Sequence, residues 1–240
     1  EEELPAISEN KIFSLKDQKK YSFSEIILKL LSNPSIASKS WVYRQYDSQV
    51  QSNTVFKPGD ADAALIRLRR QDEKNKNNEF SGVAASVDCN SRWVLLDPYR
   101  GSIAAVAESA RNVSCVGAQP IAITNNLNFS SPETEIGYWQ LSSACDGISK
   151  ACIALETPVT GGNVSLYNES KNQNNQVTPI NPTPVIGMVG TIKNVDKAIS
   201  SGWKNINDQI WIIGSNASES SIAASSYLEY FHDLVTGRPP

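Results

Sequence analysis

The sequence predicts an α/β domain, a sheet with helices packed on it, and three observations carry that prediction. Short β-branched runs alternate with longer stretches of helical period: strand 82–89, helix 103–116, strand 120–127, helix 138–155 and a further strand ending at Val159. Each helical stretch has a physical stop, Gly117 for the first and Thr157-Pro158 for the second. The apolar run PVIGMVGTI at 184–192 then supplies another buried strand.

The remaining elements follow in chain order. Residues 1–20 are polar and without a period, whereas 22–31 carries Phe23, Ile26, Ile27, Leu30 and Leu31 at helical spacing, ended by Asn33-Pro34. The segment YRQYDSQVQSN at 43–53 has no clean period and is read as an ordered loop or linker, and Pro58-Gly59-Asp60 is a turn opening a strand at 63–68. The Asn-rich, charged stretches 72–79 and 171–176 are read as solvated connections between strands. In helix 103–116, Ile103, Val106, Ala107, Ala110, Val113 and Cys115 make a small apolar face; in helix 138–155 the buried side is expected to carry Trp139, Leu141, Ala144, Ile148, Ala151, Cys152 and Leu155, with both of its cysteines in the core. Residues 203–206 and the run QIWIIG at 209–214 are read as the turn and first strand of a new unit, with a boundary near Asn194.

Composition narrows the function classes. A formal charge of −3 with 40% hydrophobic and 20% charged residues is an ordinary globular mixture without the cationic surface that nucleic acid requires. The cysteines Cys89, Cys115, Cys145 and Cys152 form no C-x-x-C pair, so reduced thiols are expected rather than a disulfide framework or zinc site. No apolar run reaches membrane-spanning length, and a soluble, cytoplasmic protein is expected. A start without methionine and the close on Gly237-Arg238-Pro239-Pro240, just after an amphipathic stretch that reads as a helix lacking its packing partner, predict an internal piece of a longer chain.

Three stretches can carry chemistry. In TPVTGGNVSLYNES, 157–170, a strand runs into Gly161-Gly162-Asn163; adjacent glycines permit positive φ and close approach, so their N–H groups can face a phosphate, while Asn163 and Ser165 offer an amide oxygen and a hydroxyl. The same tripeptide is also an ordinary turn. Asn125-Asn126-Leu127-Asn128-Phe129 places amides at the end of an apolar strand, which suits either a ligand site or turn capping. Asp97-Pro98-Tyr99-Arg100-Gly101 precedes a helix and either binds an anion there or caps it. His232, the sole histidine, sits in the apolar stretch 227–234 and is read as a packing residue, so no Ser-His-Asp or Cys-His set is available.

Five strings in this order carry a resemblance: WVYRQYDSQVQSNTV (41–55), PGDADAALIRLR (58–69), VDCNSRWVLLDPYRG (87–101), AVAESARNVSCVGAQPIAITNNLNF (105–129) and TPVTGGNVSLYNES (157–170). Together with YLEYFHDLVTGRPP at 227–240 they resemble the large (PurL) subunit of phosphoribosylformylglycinamidine synthases of the small, multi-component type. The resemblance implies a PurM-like, AIR synthase-like α/β sandwich whose sheet pairs with a homologous one. It further implies residues 1–39 as the end of a preceding B domain and linker, 40–193 as the second A domain, and 194–240 as the start of a second B domain.

The implied reaction joins formylglycinamide ribonucleotide, ATP and glutamine-derived ammonia, with Mg2+, a glutaminase subunit (PurQ) and a small bridging subunit (PurS) as partners. Carried over by residue, the resemblance makes Asn125 and Gly162 ATP contacts, Asn163 a magnesium ligand and Ser165 a substrate contact. Asn125 stands where the family has aspartate, which keeps an acceptor and loses a charge. Ser130-Ser131 likewise replace the usual Gly-Asn. The family's catalytic histidines and carboxylate-rich metal motif have no counterpart in these strings, which implies a piece inactive alone. The competing reading is a non-catalytic, nucleotide-holding or scaffolding half-domain.

Overall fold

The computed structural model describes residues 21–69, 80–214 and 222–239. The tail 1–20 and the connection 72–79 lie outside the described residues.

Among the described residues seven strands, β1 (Ala64–Arg67), β2 (Gly82–Asp88), β3 (Gln119–Asn128), β4 (Val159–Ser165), β5 (Glu169–Lys171), β6 (Val177–Pro179) and β7 (Thr183–Ile192), alternate with six helices, α1 (Phe23–Ser32), α2 (Ser40–Tyr43), α3 (Ser91–Leu96), α4 (Pro98–Cys115), α5 (Glu135–Leu155) and α6 (Ser226–His232). Five strands form one mixed sheet in the order β1-β2-β7-β3-β4. All its pairs are antiparallel except β3 with β4. A parallel neighbour requires a crossover, and α5 supplies it.

Helices α4 and α5 pack on each other over one face of the sheet, and alternate strand residues turn toward them: Leu65, Ala84, Ile123, Ile186, Met188 and Ile192 are buried with Val106, Val113, Ile148 and Ala151. The other face is open, with Ile66, Val87 and Ile121 exposed on it beside Thr124 and Asn126. The α/β domain expected from the alternation, a sheet with helices packed on it, is therefore present.

Helix α4 starts earlier than the apolar period indicated. Asp97 accepts from Arg100 N at 2.9 Å as its N-cap and Pro98 occupies the first helical position, so 98–101 lies within the helix and the capping reading of Asp97-Pro98-Tyr99-Arg100-Gly101 holds. Gly117, at φ +87, follows its end as expected. In α5 the buried side is made of small residues, Gly137, Ala144, Gly147 and Ala151, with Gln140, Ile148 and Cys152. Trp139 and Leu155 are exposed, as is Cys145, which corrects the expected buried stripe: α4 approaches so closely that only small side chains fit between the two helices. Cys115, at the end of α4, is likewise exposed.

Residues 171–176 do connect two strands, the β5-β6 hairpin, where Asn172 Oδ1 accepts from Asn174 N and Gln176 N at 2.9 Å each. The expected strand at 209–214 is absent; Ile210, Trp211, Ile212 and Ile213 are exposed and unpaired among the described strands. Residues 222–239 dock instead through α3. Arg92 binds Glu229 and, at 3.0 Å, Ser226 Oγ, while Trp93 Nε1 donates to Ala223 O at 3.3 Å.

Candidate functional site at the edge of the sheet

All four site residues drawn from the sequence fall on the parallel pair β3-β4, in register: Asn125 opposite Gly162, Asn126 opposite Asn163 and Asn128 opposite Ser165. Because side chains alternate across a strand, this register also divides them. Asn125 and Gly162 lie on the helix side, since Asn125 also pairs with the buried Ile186. Asn163 and Ser165 lie on the open side with Asn126 and Asn128. The two pairs are separated by the thickness of an edge strand, β4, which has no strand beyond it among the described residues. Such an edge leaves every second backbone N–H turned outward.

Gly161 and Gly162 are not a positive-φ bend. Both are part of β4, and the positive-φ glycines among the described residues are Gly59, Gly117, Gly214 and Gly237. What requires glycine at 162 is the neighbouring strand: a Cβ there would sit 2.0 Å from Asn125 Oδ1 and 2.3 Å from Asn125 O. The amide of Asn125 thus fills the space above Gly162. At Gly161 an added Cβ would meet nothing within 4 Å, and no contact explains that glycine.

On the open side the amides form a connected cluster. Asn163 Nδ2 donates to Asn126 Oδ1 at 3.0 Å. Asn128 Nδ2 donates to the same oxygen at 3.2 Å, to Asn126 O at 3.1 Å and to Thr183 O at 3.2 Å. Ser165 Oγ bonds Asn168 Oδ1 at 3.2 Å, and Asn168 Nδ2 donates to Phe129 O and Ser165 O at 3.1 and 2.8 Å. Every member is neutral. Toward Mg2+, which prefers hard oxygens, Asn163 offers one amide oxygen. Among the described residues no group of three or more His, Cys, Asp or Glu is placed to hold a metal. The residues fit a single neutral ligand to a cation whose carboxylates come from elsewhere. Asn168 had no signal in the sequence, whereas Asn126 and Asn128 share the period of two that places them beside Asn163 and Ser165.

On the helix side Asn125 borders a cleft of about 450 Å³ lined by Cys145, Ile148, Cys152, Ile153 and Val159 among others. Burial raises the thiol of Cys152 above its usual range, so it is not poised as a nucleophile. Cys89 is pushed up to about 12, by burial first and then by Glu108 and Asp88. Treating the full-length protein with iodoacetamide at neutral pH is therefore expected to leave Cys89 unlabelled while the exposed Cys115 reacts, as peptide mass spectrometry will read. His232 stacks edge-on against Tyr227, centroids 5.3 Å apart, in keeping with a packing role.

Comparison with known proteins agrees with this architecture. Residues 60–192 match the family model described as AIR synthase related protein, N-terminal domain. Over all 240 residues the chain is 99% identical to the phosphoribosylformylglycinamidine synthase subunit PurL of Prochlorococcus marinus subsp. pastoris (strain CCMP1986 / NIES-2087 / MED4), and it spans 31% of that protein's length. Two solved structures cover 68% of this chain: Thermotoga maritima PurLQS, at 34% identity, TM-score 0.54 and 25% of that chain, and T. maritima PurL complexed with ATP, at 33% identity, TM-score 0.55 and 24% of that chain. With more than half of its residues inside the family model and the same fold in both neighbours, the chain belongs to the AIR synthase related proteins through their N-terminal domain.

Proposed function

We propose that this chain is part of a phosphoribosylformylglycinamidine synthase, a ligase of purine biosynthesis that forms a carbon–nitrogen bond. The observation that carries the reading is the near-identity of all 240 residues to such a subunit. The β3-β4 register supports it, because the residues read as nucleotide and cation contacts fall on neighbouring strands.

In the proposed reaction the glycinamide carbonyl oxygen of formylglycinamide ribonucleotide, not that of its formyl group, attacks the γ-phosphorus of ATP, releasing ADP. Ammonia derived from glutamine then adds to the activated carbon, and phosphate departs with the former amide oxygen. Such chemistry depends on positioning and on neutralising phosphate charge, which Mg2+ supplies when bound. In this reading Asn125 and Gly162 contact ATP, Asn163 provides one neutral oxygen to the cation, and Ser165 orients the ribonucleotide. A nucleotide touching both pairs would lie across the free edge of β4. The glutaminase (PurQ) and bridging (PurS) subunits would deliver ammonia.

Residues 1–39, 40–193 and 194–240 are assigned to the end of a preceding B domain with its linker, a second A domain and the start of a second B domain. The open sheet face would pair with a homologous sheet in the longer protein. This piece would be inactive by itself. A cytoplasmic location fits, and among the described residues no helix is long and apolar enough to cross a membrane.

The uncharged amide cluster favours one alternative, a half-domain that holds a nucleotide structurally without catalysing. Replacing Asn163 by alanine in the full-length protein separates the two. The catalytic reading expects kcat/KM to fall by about 100-fold or more, the scale of a lost transition-state contact, with the thermal midpoint unchanged. Unchanged turnover would favour the scaffold.

A further inference from the structure

We infer that Asn126 is a positioning residue that locks the side chain of Asn163 with its carbonyl oxygen turned outward, toward an oxygen-seeking divalent cation. The inference rests on the reading of Asn163 as a cation ligand. A primary amide is nearly symmetric in shape, and only its hydrogen bonds decide which end faces a ligand. Here the decision is transmitted from the main chain. The carbonyls of Thr183 and Asn126 can only accept, and Asn128 Nδ2 reaches them at 3.2 and 3.1 Å, so that end of Asn128 is the donor.

The same Nδ2 lies 3.2 Å from Asn126 Oδ1, so one of its two hydrogens is shared between the main-chain and side-chain oxygens of Asn126, and an N–H group in that place would meet a donor head-on; the oxygen of Asn126 is therefore the end that faces the cluster. Asn163 must then present Nδ2 to that oxygen, as it does at 3.0 Å. This is the one hydrogen bond its side chain makes among the described residues, and Oδ1 of the exposed Asn163 is left to ligate. Without Asn126 the amide is free to turn its N–H groups outward, and donors repel a cation. Partners that orient a metal ligand in this way are typically worth about 10–100-fold in metal affinity.

The test uses the full-length protein, a non-hydrolysable ATP analogue and Mn2+ as a paramagnetic probe, with free Mn2+ read by electron paramagnetic resonance. Asn126→Val is expected to weaken Mn2+ binding about 10-fold or more, whereas Asn126→Asp, which keeps the acceptor, binds no more weakly than the parent. Asn163→Ala weakens binding as well, and adding Asn126→Val to it produces no further loss, because the two residues act through one amide. Should Asn126→Val fail to fold, Asn128→Val interrupts the same relay one step earlier and carries the same expectation. Parent-like Mn2+ affinity in Asn126→Val, with Asn163→Ala weakened, overturns the positioning role and leaves the ligand reading standing. Additive losses in the double variant also overturn it. Parent-like affinity in Asn163→Ala overturns the ligand reading, and the inference with it.

Discussion

Gly162→Ala is expected to abolish most nucleotide-dependent turnover in the full-length protein while leaving it folded. The added methyl would meet Asn125 twice, at 2.0 Å from its side-chain oxygen and 2.3 Å from its main-chain oxygen. The side chain can rotate away, but the carbonyl belongs to β3, which is held between β7 and β4. Strand β4 must therefore move, and as an edge strand it can do so without disturbing the other four. Displacing Asn163 and Ser165 by about 1 Å is enough to cost on the order of 100-fold in rate. Combining Gly162→Ala with Asn125→Ala removes the side-chain clash and leaves the main-chain one, so turnover should stay low while the thermal midpoint partly recovers. Gly161→Ala, whose methyl meets nothing within 4 Å, is the control and should behave as the parent. Steady-state kinetics with calorimetry of the three proteins decides the matter; full activity in Gly162→Ala would mean that the close approach of β3 and β4 is dispensable.

The largest loss of stability is expected from Gly147→Leu. Gly147 lies where α5 crosses α4, and a Cβ there would be 2.2 Å from Tyr99 O, 3.0 Å from Tyr99 C and 3.2 Å from Ser102 Cβ. Its nearest neighbours are backbone, which cannot rotate aside. Leucine is the better helix former by about 1 kcal/mol, yet overpacking a closed interface costs about 1–3 kcal/mol and occasionally more. Prying the helices apart also opens the core that Ile148 and Ala151 share with Ile123, so the upper part of that range is expected. At about 2–4 °C per kcal/mol for a domain of this size, the unfolding midpoint should fall by several degrees. Leucine at the exposed position 153, where isoleucine now stands, should move it by far less.

The periods of 3.6 and 2 were sufficient to find the main elements. The strand read at 120–127 is Gln119–Asn128, and that read at 184–192 is Thr183–Ile192, because alternation of burial is written directly in side-chain polarity. Helix α3 escaped notice because six residues are too few to show a period, and long-range bonds from Arg92 and Trp93 to residues 223–229 tie it in place. The apolar run at 209–214 misled for the converse reason. A strand is a property of a pair, and no described strand pairs with it.

The residue types of the candidate site were legible too: amides at the end of one strand, and a glycine pair with an amide and a hydroxyl on another. The tertiary structure decided their geometry. Parallel register set Asn125 against Gly162 on one face and Asn163 against Asn126 on the other, and turned an apparent bend into an extended edge strand. Local sequence determines which way a chain prefers to run, but the face on which a side chain emerges depends on register with a neighbour dozens of residues away. For that reason a glycine that looked like part of a bend proved to be the space occupied by another strand's amide.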